Sequence, residues 1–236
     1  MNKYNHLSYS SISKFIACPA QFSYYMNNKK VLPSESSLAG QDRHEEISKH
    51  LVLGSIDQSK FGDRMKGFCR HILKTPNAVE HEFALDFITN TVIGKIDAYS
   101  VYGNQAVIVD WKSYPGYNDE LQLKIYALAA REAHQEVEVV HAYFFYTGPD
   151  YYEPYTYFAE DLDQFSVELS KTIDAISTTE KFGPRPGPHC SRCSYVKSCS
   201  VVMNFEIVKV DSVDEVVTLA QKTYAVEALL DKAKEK

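Results

Sequence analysis

No stretch of this chain approaches the ~18 consecutive apolar residues of a membrane-spanning helix. The N-terminus also lacks the short apolar run of a secretory signal. A cytoplasmic protein with no membrane partner is therefore expected. Cysteine is scarce, five in 236 residues, and three of the five crowd into residues 190–199. Thiols stay reduced in a cytoplasm, so this layout favours metal binding over disulfides. No Gly-x4-Gly-Lys-Ser/Thr phosphate loop is present, which excludes a built-in ATP-driven motor. Internal repeats and low-complexity tracts are absent as well.

Acid is in excess overall, with a formal net charge of −6, yet two segments contain none. Residues 1–34 hold Lys3, Lys14, Lys29 and Lys30; residues 181–203 hold Lys181, Arg185, Arg192 and Lys197. These are also the segments that hold the candidate ligand thiols. If those thiols share one metal centre, they gather a basic patch on an acidic protein, and an anionic backbone responds to such a patch whatever the total charge. Lys14, Arg185, Arg192 and Lys197 are the candidate contacts to nucleic acid. Aromatics interleave with the lysines near the N-terminus, at Tyr4, Tyr9, Phe15, Phe22, Tyr24 and Tyr25. Rings stack on unpaired bases, so single-stranded DNA or a frayed duplex end fits this composition.

Apolar spacing predicts helices over 7–17, 38–53 and 57–74. The period then changes to that of strands, at 79–88, 91–101 and 106–111, with Gly103-Asn104 turning between the last two. A helix follows at 118–134, strands at 138–147 and 151–159, and an amphipathic helix at 160–179. Glycines and prolines over 182–189 make a stiff lead into the cysteines. A last helix starts near Val213, with Val216, Leu219, Ala220, Thr223, Val226 and Leu230 on one face, expected to pack back on the domain, the alternative being a face offered to a partner.

Two constellations carry chemistry. In the first, Asp97 closes the strand Gly94-Lys-Ile-Asp97, and Asp110 and Lys112 lie on the next strand, in Val109-Asp-Trp-Lys112. Residues i and i+2 of a strand share a face, so Asp110 and Lys112 point into one site and Asp97 can meet them across the ladder. Carboxylates on adjacent strands suit a hard divalent cation such as Mg²⁺ or Mn²⁺. Such an ion polarises a phosphoryl group and generates hydroxide, while a nearby lysine orients the water or offsets charge. In the second, Cys190, Cys193 and Cys199 have C-x2-C-x5-C spacing, and Cys18 waits far upstream as a fourth ligand. Thiolates hold zinc or an iron–sulfur cluster, and spacing alone does not separate the two. Cys69 is left over and reads as a buried apolar residue.

The order of the acidic residues resembles the PD-(D/E)XK nuclease superfamily, and more narrowly its RecB-like branch. Gly40-Gln-Asp-Arg-His44 and Gln122-Leu-Lys-Ile-Tyr126 match that branch's further motifs. The resemblance implies that His44, Asp97, Asp110 and the Trp111 carbonyl bind the metal. It makes Lys112 the catalytic lysine, with Gln122 and Tyr126 supporting the site or contacting nucleic acid. One departure is the second acid, often Glu, which is Asp110 here. The thiol layout resembles the branch's iron–sulfur exonucleases, the CRISPR-associated exonucleases and AddB-type subunits. It implies a structural [4Fe–4S] cluster on Cys18, Cys190, Cys193 and Cys199.

The implied fold is an α/β, restriction-endonuclease-like core with a mixed central sheet flanked by helices, plus an iron–sulfur lobe. As one nuclease domain over 1–236, it divides into a lobe of 1–34 and 181–203, a catalytic core of 35–180 and a helical extension of 204–236. The implied activity is Mg²⁺- or Mn²⁺-dependent hydrolysis of DNA from single-stranded or duplex ends, in a bacterial, archaeal or phage-infected cytoplasm. A helicase, recombinase or integrase subunit is the kind of partner implied, and self-association is open. The alternative is a catalytically silent DNA-end-binding or adaptor subunit of a larger complex.

Overall fold

The computed structural model describes residues 4–28, 35–116, 119–203 and 213–234. Its elements run β1 (His6–Leu7), α1 (Tyr9–Ala17), α2 (Pro19–Asn28), α3 (Glu35–Val52), α4 (Asp63–Phe68), β2 (Ala78–Asp86), β3 (Thr91–Tyr102) and β4 (Gln105–Lys112). They continue with α5 (Glu120–Ala133), β5 (Val139–Tyr146), β6 (Tyr151–Phe158), α6 (Ala159–Thr178), α7 (Ser200–Met203) and α8 (Val213–Lys234). Two compact units result: Met1–Tyr9 with Pro33–Ser177, and Ser10–Leu32 with Thr178–Lys236.

The first unit is built on a six-stranded mixed sheet. Gly103, with φ +59, turns β3 into β4, and the resulting register pairs Ala98 with Val109. β4 and β5 run parallel, which requires the crossover that α5 supplies. β1 pairs with the start of β3 at Thr91 and Val92, and β2 pairs along most of β3. A core of Ile47, Leu51, Phe61, Met65 and Phe68 from the helices packs on Ala98, Val109, Trp111 and Phe145 of the sheet. Buried Leu123, Ile125 and Leu128 of α5 belong to the crossover.

Three elements depart from the sequence expectation. Two-residue β1 is too short to show a period. The helix expected over 57–74 is broken into a 3-10 turn (Ile56–Gln58), α4 and a π-turn (Cys69–Leu73). The break is fixed from afar: the Asp150 carboxylate accepts from the Arg64 and Met65 amides at 3.0 and 2.9 Å, capping α4 from 86 residues away. Residues 19–28, read only as aromatic-rich, form α2.

The second unit contains no strand among its described residues. Phe15, Phe22 and Phe182 pack edge-on or tilted at 5.3–6.2 Å between centroids, and Tyr24 stacks on Tyr195 at 5.5 Å. A second buried cluster holds Cys190, Cys193, Val196, Ala225 and Ala228. Among the described side chains, the terminal helix packs back through buried Ala225 and Ala228, with Leu219, Thr223 and Val226 of the expected stripe half-buried. Alanines let α8 approach the cysteine turns closely, and Ala220 and Leu230 are left exposed. Side chains at 213–216 lie outside the described residues.

Candidate active site

The site sits where β3 parts from its neighbours. Pairing of β3 with β4 stops at Ala98–Val109, although β4 runs on to Lys112. Continuing the same register sets Asp97 across from Asp110. In the opening, a side chain replaces the missing strand partner: the Trp111 amide donates to Asp97 Oδ2 at 2.8 Å. His44 enters from α3, its Nδ1 3.3 Å from the same carboxylate oxygen. Burial pulls the His44 pKa down, but the hydrogen bond to Asp97, the charges of Asp97 and Asp110 and the Trp111 backbone outweigh it, and the net shift is upward.

Asp110 is 2% exposed. Its Oδ1 accepts from Gln122 Nε2 at 2.8 Å. Its Oδ2 forms an ion pair with Lys112 Nζ at 2.7 Å. Burial and the nearby Asp97 charge raise its pKa to about 6, against the opposing pull of Lys112 and His44. Two buried carboxylates side by side, with one ammonium between them and solvent, carry negative charge that a further cation could balance.

Gln122 ties the catalytic candidates together. Its Oε1 accepts from Lys112 Nζ at 3.0 Å, while its Nε2 donates to Asp110 and, at 2.9 Å, to the Tyr126 hydroxyl. Lysine can only donate and a carboxylate can only accept, so the amide has one workable orientation. Gln122 thus touches both Asp110 and Lys112, and Tyr126 reaches them through Gln122. Tyr126 is buried and packs edge-on against Phe83 at 5.8 Å.

One residue escaped the sequence reading. Glu80, on β2, has φ +53, a conformation that side-chain-bearing residues rarely adopt. Val79 and His81 pair with Ala98 and Ile96, which places Glu80 opposite Asp97. The left-handed residue also reverses the strand's alternation. Val79 packs in the core under α3 and α4, whereas His81 meets Tyr99 and Phe83 meets Tyr126, on the α5 side. Such strain costs roughly 1–3 kcal/mol and gathers at functional sites. Its carboxylate accepts from Ser48 Oγ at 3.0 Å and pairs with Lys95. One ligand atom each from His44, Glu80 and Asp97 lie within 4.8 Å of one another. An imidazole and two carboxylates fit a hard or borderline divalent ion. Glu80→Gln should weaken Mn²⁺ binding about 10–100-fold in calorimetry while the fold persists. Unchanged affinity would reduce Glu80 to a partner of Ser48 and Lys95.

Residues 54–200 match the sequence profile of the PD-(D/E)XK nuclease superfamily. The chain belongs to that superfamily. The match leaves out His44 and Cys18, which stand upstream of it. Among solved structures, this PD-(D/E)XK chain is similar to SSO0001, with 15% identity over 85% of this chain and 88% of that one and a TM-score of 0.52. It is also similar to a candidate exonuclease from Eubacterium rectale, with 12% identity over 90% and 92% of the chains and a TM-score of 0.49. No curated protein matches it in sequence. No helix among the described residues is long and apolar enough to cross a membrane.

In the second unit, Cys18, Cys190, Cys193 and Cys199 line one cavity, none of them in a disulfide. The Arg185 amide points at Cys18 Sγ from 3.3 Å. Burial raises the Cys190 pKa, the Gly187 backbone opposes this, and the sulfurs of Cys18 and Cys199 add to the rise. That mutual repulsion between sulfurs is what a bound metal would relieve. Cys69 stays apart in the first unit's core, its thiol pushed up to about 12 by burial and by Asp57.

The basic candidates divide. Arg192 and Lys197 are exposed. Arg185 is exposed too, but its guanidinium donates to the Ile16 carbonyl at 2.6 Å, which gives it a local structural task. Lys14 is half-buried, donates to the Ser10 carbonyl at 3.3 Å and lies 4.4 Å over the Tyr25 ring. Burial lowers its pKa, opposed by Cys193. Lys3, Lys29 and Lys30 fall outside the described residues.

Proposed function

We propose that this PD-(D/E)XK protein is a metal-dependent DNA nuclease, an exonuclease acting on single-stranded DNA or duplex ends, with a structural [4Fe–4S] cluster in its second unit. The observation that carries the reading is the convergence of His44, Asp97, Asp110, Lys112 and Gln122 on one buried opening between strands. His44, Asp97, Asp110 and the Trp111 carbonyl would hold Mg²⁺ or Mn²⁺, with Glu80 beside them. The ion would supply Lewis acidity toward the phosphoryl oxygens and a hydroxide at neutral pH. Lys112, steered by Gln122, offers its ammonium to the attacking water or to charge that grows on the phosphate. Asp97 and Asp110 set the negative field that draws the ion in. Hydrolysis transfers no electrons, so the cluster's role is to hold its own unit together.

The sequence layout supports iron–sulfur over zinc: one short C-x2-C pair, a five-residue gap and a distant fourth thiol, where zinc sites usually carry two short pairs.

The direct test is degradation of end-labelled single- and double-stranded DNA by anaerobically purified protein with Mn²⁺. Wild-type activity should fall at least 10²–10³-fold in Lys112→Ala. The order of label loss would then give the polarity. A wild type that binds DNA without cutting it would overturn the nuclease reading in favour of an adaptor.

A further inference from the structure

Among the described tyrosines and phenylalanines, Tyr114 has the most exposed ring, at 73%. Only Ser113 separates it from Lys112, so the two Cα atoms lie within about 7 Å. A single exposed ring needs no explanation by itself. The surroundings of this one do. Hydrogen bonding between β4 and β5 continues past the strand ends: the Thr147 amide donates to the Lys112 carbonyl and the Gly148 amide to the Ser113 carbonyl, both at 2.8 Å. Those bonds fix the backbone that leads into Tyr114. The ring then lies across Gly148. A Cβ at 148 would fall 2.7 and 2.8 Å from ring atoms Cε1 and Cζ, and 2.6 Å from the Ser113 carbonyl oxygen. Glycine is required there because the ring and the backbone already occupy the space.

The loop is also fixed toward the site. Ser113 Oγ lies 3.6 Å from where a Cβ on Gly40 would stand. Gly40 precedes His44 by four residues and shares its face of α3. The segment carrying Tyr114 therefore rests against the helix that delivers His44, directly after the strand that delivers Asp110 and Lys112.

We propose that Tyr114 is a stacking platform for an unpaired base next to the scissile phosphate. The proposal rests on the nuclease reading and adds a substrate-binding residue to it. A ring seated on glycine backbone has little freedom left to lose when a base covers it, and tyrosine has few rotamers to begin with. Stacking tolerates any base, as processive degradation requires. It also selects single strands or frayed ends, because bases in an intact duplex already stack on each other.

The test uses the full-length protein and single-stranded oligonucleotides that carry 2-aminopurine at successive positions. In a Lys112→Ala background, one position should be quenched on binding. The quench should vanish with added Tyr114→Ala and return with Tyr114→Phe. In the active protein, Tyr114→Ala should raise KM for single strands roughly 5- to 150-fold with kcat little changed. An abasic nucleotide at the quenched position should erase that difference. Quenching at no position, or Tyr114→Ala affinity equal to wild type, would overturn the platform. A Tyr114-dependent quench in a wild type that never cuts would keep the platform and sink the nuclease reading.

Discussion

Asp110→Asn should abolish cleavage and leave the metal-free protein at least as stable as wild type at pH 8. The two halves of that result come from one fact. Asp110 is buried, and burial together with Asp97 lifts its pKa to about 6 despite the Lys112 ion pair that opposes the rise. A carboxylate raised above its unfolded value favours folding at low pH. That contribution is full below about pH 4 and is lost as pH rises through about 6. At pH 8 the free wild type therefore holds a charge that its fold resists, and the amide removes it. Asn keeps an oxygen for Gln122, and Lys112 retains Gln122 Oε1 as a partner. Activity should fall about 10³-fold or more, since the ion loses a ligand and the site loses half its negative field.

Melting curves at pH 5 and pH 8 in chelated buffer check the first half. The gap between variant and wild type should move in the variant's favour as pH rises. Mn²⁺ should raise the wild-type melting temperature and do little for the variant, because the ion would offset a buried charge that the amide no longer carries. A variant that melts well below wild type at pH 8 without metal would show that the carboxylate supports the fold. Asp110 would then be structural rather than held ready for an ion.

The same residues show what the sequence could reveal. Asp110 and Lys112 were legible because a strand's period of two is rigid. Asp97 was legible because a tight turn at Gly103 fixes the register. His44 and Gln122 came from motif resemblance, and no local rule demands them. Glu80 was not legible. Left-handed backbone at a glutamate has no sequence signature, and the switch in alternation exists only once Tyr99 and Tyr126 are in place to receive His81 and Phe83. The broken helix near residue 62 failed for a related reason, since its cap, Asp150, is distant in the chain. On α8 the apolar stripe was visible, but burial chose Ala225 and Ala228, because closeness to the cysteine turns matters there more than apolar area. Lys14 read as a contact to nucleic acid, yet the Tyr25 ring and the Ser10 carbonyl hold it locally.

Cys190→Ala should yield a colourless protein whose second unit loses protection while the six-stranded sheet survives. The second unit lacks a sheet among its described residues, and the buried cluster around its C-terminal cysteines consists of Cys190, Cys193, Val196, Ala225 and Ala228. Two of these five are proposed ligands, so the cysteine turns themselves rest on few apolar side chains. Turns with so little apolar support gain most from a staple. Ligation would supply it as folding free energy, by tying Cys18 of the N-terminal segment to three thiols of the C-terminal one. The first unit has its own core under α3 and α4 and needs no such help. Hydrogen exchange read by mass spectrometry should therefore show amides of 14–28 and 185–203 losing protection, with 91–112 unchanged. Cys69→Ala is the control: its thiol lies in the first unit's core and should leave both colour and second-unit protection intact. A wild type purified without oxygen that is colourless and holds zinc would remove the iron–sulfur assignment and keep the staple. Full protection of 185–203 in Cys190→Ala would remove the staple itself, because the four thiols would then share a cavity without sharing a guest.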